Sequence, residues 1–265
     1  MADPVPVNLL VIPYAGGSAA HMTPLLRSLP SWVRARAVEL PGRGRRWRDT
    51  PVDTLEAAVR DLIAAIPFDG SFAVFGHSLG AYLALALMAR MEDHGDHRGT
   101  VLFAAANVAP GRRRRFLERP AATLSEDQIL ELAARFGPVP DAVITDPDLR
   151  EGLIRILRSD FALSDSFLRQ WNGRRISAPI VALAGTDEPF TAEDVTQWGR
   201  STETDFREDR IRGGHFFPVE TPTETATMIV RHLARLARDG LWCPAPPSGN
   251  PMSPVRDSAR GDPFS

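Results

Sequence analysis

The segment Phe72-Ala73-Val74-Phe75-Gly76-His77-Ser78-Leu79-Gly80-Ala81 constrains this chain more than any other part of it. The run from Ser71 to Phe75 has the length and composition of a buried strand. The run from Leu79 to Met91 is apolar nearly all round and reads as a buried helix. Passing from strand to helix in so few residues demands a sharp bend, with Ser78 in a strained backbone conformation at its apex. Gly76 and Gly80 lack side chains there, so the two elements can pass closely. Such a bend exposes the Ser78 hydroxyl over the carboxyl edge of a sheet. It also aims the Leu79 N–H, at the positive end of the helix, into the same space.

A Gly-x-Ser-x-Gly string alone arises by chance in roughly one chain in ten of this length, so its surroundings decide its meaning. Strand-like runs occur at Val7 to Ile12, Val33 to Leu40, Ser71 to Phe75, Val101 to Ala105, Ile180 to Ala184 and Glu203 to Ile211, with helical patterns between most of them. That alternation implies an α/β class with a mostly parallel sheet flanked by helices on both faces. With the elbow at Ser78 it predicts the α/β-hydrolase fold. The 265 residues, 43% of them hydrophobic, suffice for one sizeable core. One domain is expected over residues 1–240.

Helix signals fill in that plan. Asp53 is placed to cap a helix carrying Leu55, Val59, Leu62, Ile63 and Ile66 and ending before Pro67. Thr221-Pro222-Thr223-Glu224 reads as a capping box that starts a helix just after His215. Between Pro110 and Trp171 the alternation breaks, and two helices are expected with no strand between them. Ser125 with Gln128 opens the first and Gly137-Pro138 ends it; Asp146-Pro147 opens the second, with Leu149, Leu153, Ile156 and Leu157 on its apolar face. A helical insertion over residues 110–172 is therefore expected as a lid. The Pro-, Ser-, Gly- and Asp-rich stretch 244–265 is expected to be a disordered tail.

A serine hydroxyl needs a base to take its proton and a carboxylate to orient that base, in the chain order serine, acid, histidine. Six histidines compete for the role of base. His77 adjoins Ser78 and is expected to point away from it. His94 and His97 lie in a polar turn, His232 lies within the last helix, and His21 reads as a solvated helix-start residue. His215, in Gly213-Gly214-His215-Phe216-Phe217, has aromatic neighbours that can pin its loop to the core, and it is the expected base. The acid is expected in the turn after the strand Ile180 to Ala184, where Asp187 and Glu188 are adjacent and point in different directions. The second oxyanion donor is expected from Pro13-Tyr14-Ala15-Gly16-Gly17-Ser18, most plausibly the Ala15 N–H, beside that of Leu79.

Composition narrows the alternatives. A net charge of -2 gives no global attraction to nucleic acid or membrane. The single cysteine, Cys243, forms no internal disulfide, and no apolar run reaches the roughly 20 residues of a membrane helix. A cytoplasmic serine hydrolase with no metal and no cofactor is the expectation. Two arginine clusters, Arg43, Arg45, Arg46 and Arg48 and then Arg112 to Arg115, are candidates for docking an acidic partner.

The chain resembles the type II thioesterases that accompany polyketide synthases and nonribosomal peptide synthetases. The resemblance covers residues 7 to about 238. It is carried by the Pro-Tyr-Ala-Gly-Gly-Ser loop at Pro13, Glu39-Leu40-Pro41-Gly42-Arg43-Gly44, the Gly-His-Ser-x-Gly elbow, Arg158-Ser159-Asp160-Phe161 and Gly214-His215-Phe216. It implies hydrolysis of acyl groups from the phosphopantetheine arm of an acyl or peptidyl carrier protein, clearing stalled or misprimed chains, with acylation at Ser78 and water activated by His215. One departure stands out. Glu188 occupies the place where such enzymes have aspartate, and Asp187 comes one residue early, so either Glu188 adapts or Asp187 substitutes. A general carboxylesterase, an acyl-CoA thioesterase and a noncatalytic binding module on the same fold are the competing readings.

Overall fold

The computed structural model describes residues 6–112 and 116–241; the expected tail 244–265, Cys243 and Arg113 to Arg115 lie outside them. Six strands form one sheet: β1 (Val7–Ile12), β2 (Val33–Ala37), β3 (Phe72–His77), β4 (Gly99–Ala105), β5 (Ile180–Gly185) and β6 (Phe206–Ile211). Their order is β2-β1-β3-β4-β5-β6, and every pairing is parallel. The sheet is thus wholly parallel among the described residues, and the α/β-hydrolase layout expected from the alternation is present.

The helices are α1 (Thr23–Ser28), α2 (Leu55–Ala64), α3 (Leu79–Asp93), α4 (Glu126–Ala134), α5 (Asp141–Thr145), α6 (Pro147–Gln170), α7 (Ala192–Thr196), α8 (Phe217–Glu220) and α9 (Pro222–Arg238). Successive strand residues point to opposite faces, and each face builds its own core. Leu10, Ile12, Val74, Leu102 and Ile180 pack with α2, α3 and the end of α6. Leu9, Val11, Phe75, Phe103 and Leu183 pack with Met22, Leu25, Ile229 and Leu233 on the other side. This two-sided burial is why β1, β3, β4 and β5 read as unbroken apolar runs. Strand β2, at the sheet's edge, alternates instead, with Arg34 and Arg36 exposed between Val33, Ala35 and Ala37.

Several boundaries differ from the sequence expectation, each for a local reason. The cap of α2 is Thr54, whose hydroxyl accepts from Ala57 N–H, rather than Asp53. Thr221 precedes α9 as expected but forms no side-chain cap there; its hydroxyl instead donates to the carbonyls of Arg212 and Phe217. Strand β2 ends at Ala37 and β6 begins at Phe206, both shorter than their apolar patterns. Among the described residues between β4 and β5 there are three α-helices, not two. The added one, α5, has five residues, too few to show a periodicity. Leu149, expected on the buried face of α6, is exposed; the buried residues are Ile154, Leu157 and Phe161, in a third cluster with Leu117, Ala121 and Ile129.

The parallel sheet brings every strand's carboxyl end to one edge. The chain leaves β1 toward β2 on one side and returns to β3 on the other, so loops diverge between the carboxyl ends of β1 and β3. Crevices form at such points. The β1 loop and Ser78 flank this one.

Candidate active site

The elbow has the strain its sequence demands. Ser78 lies at φ 55° and ψ -116°, between the end of β3 and the first turn of α3. A Cβ on Gly76 would overlap the Gly80 carbonyl, and one on Gly80 would overlap the Ile12 carbonyl, so both glycines are fixed by backbone contact. The Ser78 N–H donates to the Ala105 carbonyl at 2.8 Å, and the Asn107 side-chain amide donates to the Ser78 carbonyl at 2.8 Å. Asn107 is itself held: its side-chain oxygen accepts from Val108 N–H at 2.9 Å and its carbonyl accepts from Trp198 Nε1 at 3.0 Å. Ala106, just before it, also has positive φ, 54°. Two strained turns, after β3 and after β4, therefore brace each other.

The turns after β5 and β6 are tied together in the same way. Thr186 N–H donates to the Ile211 carbonyl at 2.9 Å, Asp187 N–H to the Gly213 carbonyl at 3.0 Å, and Gly213 N–H to the Thr186 hydroxyl at 3.2 Å. These bonds deliver Glu188 and His215 to the same place. His215 Nδ1 is 2.8 Å from Glu188 Oε1, and His215 Nε2 is 3.0 Å from Ser78 Oγ. An ionised carboxylate only accepts, so Nδ1 carries the proton and Nε2 is left to accept from the serine hydroxyl. Glu188 Oε2 takes the Gly185 N–H at 2.7 Å. Asp187 is exposed and accepts from the neighbouring Thr186 hydroxyl, so it is not part of this line.

Four other histidines sit much as their sequence settings indicate. His94 and His97 lie at the polar turn after α3, and His21 is exposed beside the β1 loop, its Nδ1 accepting from Ser18 N–H. His232 is buried in α9, 3.2 Å from Asp209. His77 is the informative one. It points away from Ser78, is fully buried, and donates from Nε2 to the His215 carbonyl at 2.8 Å. Burial, aided by the neighbouring His215, lowers its pKa to about 3, so it stays neutral and anchors the loop that carries His215.

Ser78, His215, Ala15 and Leu79 all open on one cavity of about 720 Å³. Its walls come from the β1 loop (Tyr14, Gly16), the ends of β4 and β5 (Asn107, Phe190) and the helical segment between them (Phe116, Phe136, Leu153, Leu157, Phe161). Phe136 packs 4.8 Å from the His215 ring. The described members of the two arginine clusters have different settings. Arg43 is buried against Asp160, Arg46 pairs with Asp49 and Asp61, and Arg112 pairs with Glu193 and Asp194. Arg45 and Arg48 stay exposed, Arg48 lying over the exposed Trp47 ring. His77, Arg43 and Asp160, which lie in sequence motifs that do not by themselves give them this role, and Asn107, which no motif singles out, touch the site's framework.

The model of the Thioesterase domain family matches residues 7–235. The chain belongs to that family. It is 28% identical over 231 residues to Thioesterase PikA5 of Streptomyces venezuelae, covering 86% of this chain and 81% of that one. It is 26% identical over 235 residues to the gramicidin S biosynthesis protein GrsT of Aneurinibacillus migulanus, covering 86% and 89%. Among solved structures, ClbQ from the colibactin NRPS/PKS pathway superposes with a TM-score of 0.77 at 26% identity over 89% of this chain and all of that one. The type II thioesterase BorB of the borrelidin cluster gives 0.72 at 27% over 88% and 94%. The family found is the one that the loop and elbow motifs resemble, so this thioesterase-family chain is a hydrolase acting on thioesters. Among its described residues, no helix is long and apolar enough to cross a membrane.

Proposed function

We propose that this chain is an editing thioesterase that removes acyl groups from the phosphopantetheine arms of carrier proteins in polyketide or nonribosomal peptide assembly. The observation that carries the proposal is the continuous hydrogen-bonded line from Glu188 through His215 to Ser78 at the wall of a largely apolar cavity. Ser78 Oγ attacks the thioester carbonyl as its proton passes to His215 Nε2, and the oxygen of the tetrahedral intermediate is met by the Ala15 and Leu79 N–H groups. The C–S bond breaks, and the pantetheine sulfur leaves with the proton from His215. Water then attacks the acyl-serine, His215 takes its proton and returns it to Ser78 Oγ, and the free acid departs. Glu188 holds His215 in the required tautomer throughout.

A thiolate leaves more readily than an alkoxide, so this arrangement suits thioesters over simple esters. The helical segment between β4 and β5 acts as the lid, its apolar side chains receiving the acyl group and excluding water. Among the described residues of the two arginine clusters, Arg45 and Arg48 are the ones without a carboxylate partner and meet an acidic carrier, and the reaction takes place in the cytoplasm. The relatives named for gramicidin S biosynthesis, the colibactin NRPS/PKS pathway and the borrelidin biosynthetic cluster support this reading. Hydrolysis rates with one acyl group presented on a carrier protein, on coenzyme A and as a simple ester test it. The carrier-bound thioester is expected to be fastest by kcat/KM. Equal rates on coenzyme A, or a preference for the ester, would favour the general acyl-CoA thioesterase or carboxylesterase instead.

A further inference from the structure

Under the serine chemistry proposed above, the loop after β1 must hold the Ala15 N–H in one place. Tyr14, Ala15, Gly16 and Gly17 form a β-turn closed by the Gly17 N–H on the Tyr14 carbonyl at 2.9 Å. Gly16, its third residue, has φ +80°, while Ala15 is not among the residues with positive φ. That combination is a type II turn. Types I and II differ by a rotation of roughly half a turn of the middle peptide, here the one that joins Ala15 to Gly16 and carries the Ala15 carbonyl and the Gly16 N–H.

One side chain decides which way that peptide faces. The Gly16 N–H donates to Asp160 Oδ2 at 2.7 Å. With the peptide reversed, the Ala15 carbonyl would face the same carboxylate, oxygen against oxygen. Asp160 lies on α6, is fully buried, and is gripped by Arg43, Nη1 to Oδ2 at 2.6 Å and Nη2 to Oδ1 at 2.7 Å. Arg43 also donates to the Gly17 carbonyl at 3.3 Å. Buried ion pairs are no better for stability than well-packed apolar side chains of similar volume. This pair does something an apolar pair cannot, because it holds the turn by both the Gly16 N–H and the Gly17 carbonyl.

We propose that Arg43 and Asp160 are positioning residues for the oxyanion loop. They hold the Tyr14–Gly17 turn as type II, tie its Gly16 N–H and Gly17 carbonyl to α6, and thereby keep in place the loop whose Tyr14–Ala15 peptide presents the Ala15 N–H. Since Asp160 rides on α6, the donor is set only when α6 is seated against the loops after β1 and β2.

The test compares the unmodified chain with two double variants. R43M/D160L removes the polar contacts and leaves no buried charge, while R43Q/D160N restores a neutral acceptor for the Gly16 N–H. On an acyl thioester, R43M/D160L is expected to lower kcat by about tenfold or more with KM within about threefold. Amide exchange at Gly16 is expected to quicken in that variant. R43Q/D160N is expected to regain most of both at a similar melting temperature. If R43M/D160L fails to fold, R43Q/D160S takes its place in the same contrast. The proposal is overturned if R43M/D160L keeps its kcat, or if R43Q/D160N does no better while both stay folded. If the unmodified chain shows no Ser78-dependent hydrolysis, the hydrolytic reading fails, while the Gly16 exchange contrast still decides the role of the pair.

Discussion

Glu188 meets His215 with one carboxylate oxygen while its other oxygen takes the Gly185 N–H, so the carboxylate is fixed at both ends. The extra methylene of glutamate lets a residue in the turn after β5 reach back to its own strand and forward to the imidazole. Glu188→Ala should therefore lower kcat on a thioester by about a hundredfold or more, through loss of the oriented tautomer. Asp187→Ala should change it by less than about threefold. Steady-state kinetics of the two variants side by side measure this, and a larger loss in Asp187→Ala would reassign the acid.

Gly80 faces the Ile12 carbonyl so closely that a methyl group has nowhere to go without moving β1 or α3. Both are buried backbone and neither yields cheaply. Gly80→Ala is expected to cost about 3 kcal/mol or more, or to prevent folding, as read by denaturant midpoint or soluble yield. Gly95→Ala is a fit control for the method, because nothing lies near its Cβ, although its positive φ makes it mildly strained.

His77 carries a pH signature of stability rather than of rate. Its pKa is lowered from 6.5 to about 3 by burial and by the neighbouring His215. Its stabilising contribution is therefore complete above the unfolded value and is lost as pH falls from about 6.5 toward about 3, where the unfolded chain binds a proton and the folded one does not. Between pH 6.5 and 4.5 that linkage is on the order of 2 kcal/mol. Denaturant midpoints at pH 7 and 4.5 should converge in His77→Gln relative to the unmodified chain. His232, also lowered by burial, adds a share in the same direction that persists in the variant.

Arg45 and Arg48 differ from their neighbours in having no carboxylate partner among the described residues. Reversing both, R45E/R48E, should raise KM for a carrier-linked thioester several-fold and flatten its salt dependence. It should leave a small soluble thioester unaffected. Rates on the two substrates across a salt series give the comparison, and an equal effect on both would place docking elsewhere.

The elbow and the sheet were legible in sequence because each rests on local chemistry: glycines that backbone contacts require and apolar runs buried on both faces; the setting of His215 among aromatics singled out the residue proposed here as the base. The choice between Asp187 and Glu188 was not legible. It depends on where the turn after β5 points, and that is fixed by backbone bonds from Thr186 and Asp187 to residues of the β6 turn. Arg43, read in sequence as one of a cluster that could dock an acidic partner, is instead buried against Asp160. Its partner Asp160 lies 117 residues along the chain, on α6, and no local pattern in sequence pairs the two. The short α5 and the exposed Leu149 show the same limit, since a helix packed over a cavity rather than a core carries a weak apolar stripe.

The most direct measurement is the intact mass of an acyl-loaded carrier protein before and after incubation with this chain and with its Ser78→Ala variant. The account predicts a loss of the acyl mass with the phosphopantetheine arm retained, at a rate at least a thousandfold slower in the variant. An acyl carrier left intact by the unmodified chain, or cleared equally well by Ser78→Ala, would contradict it.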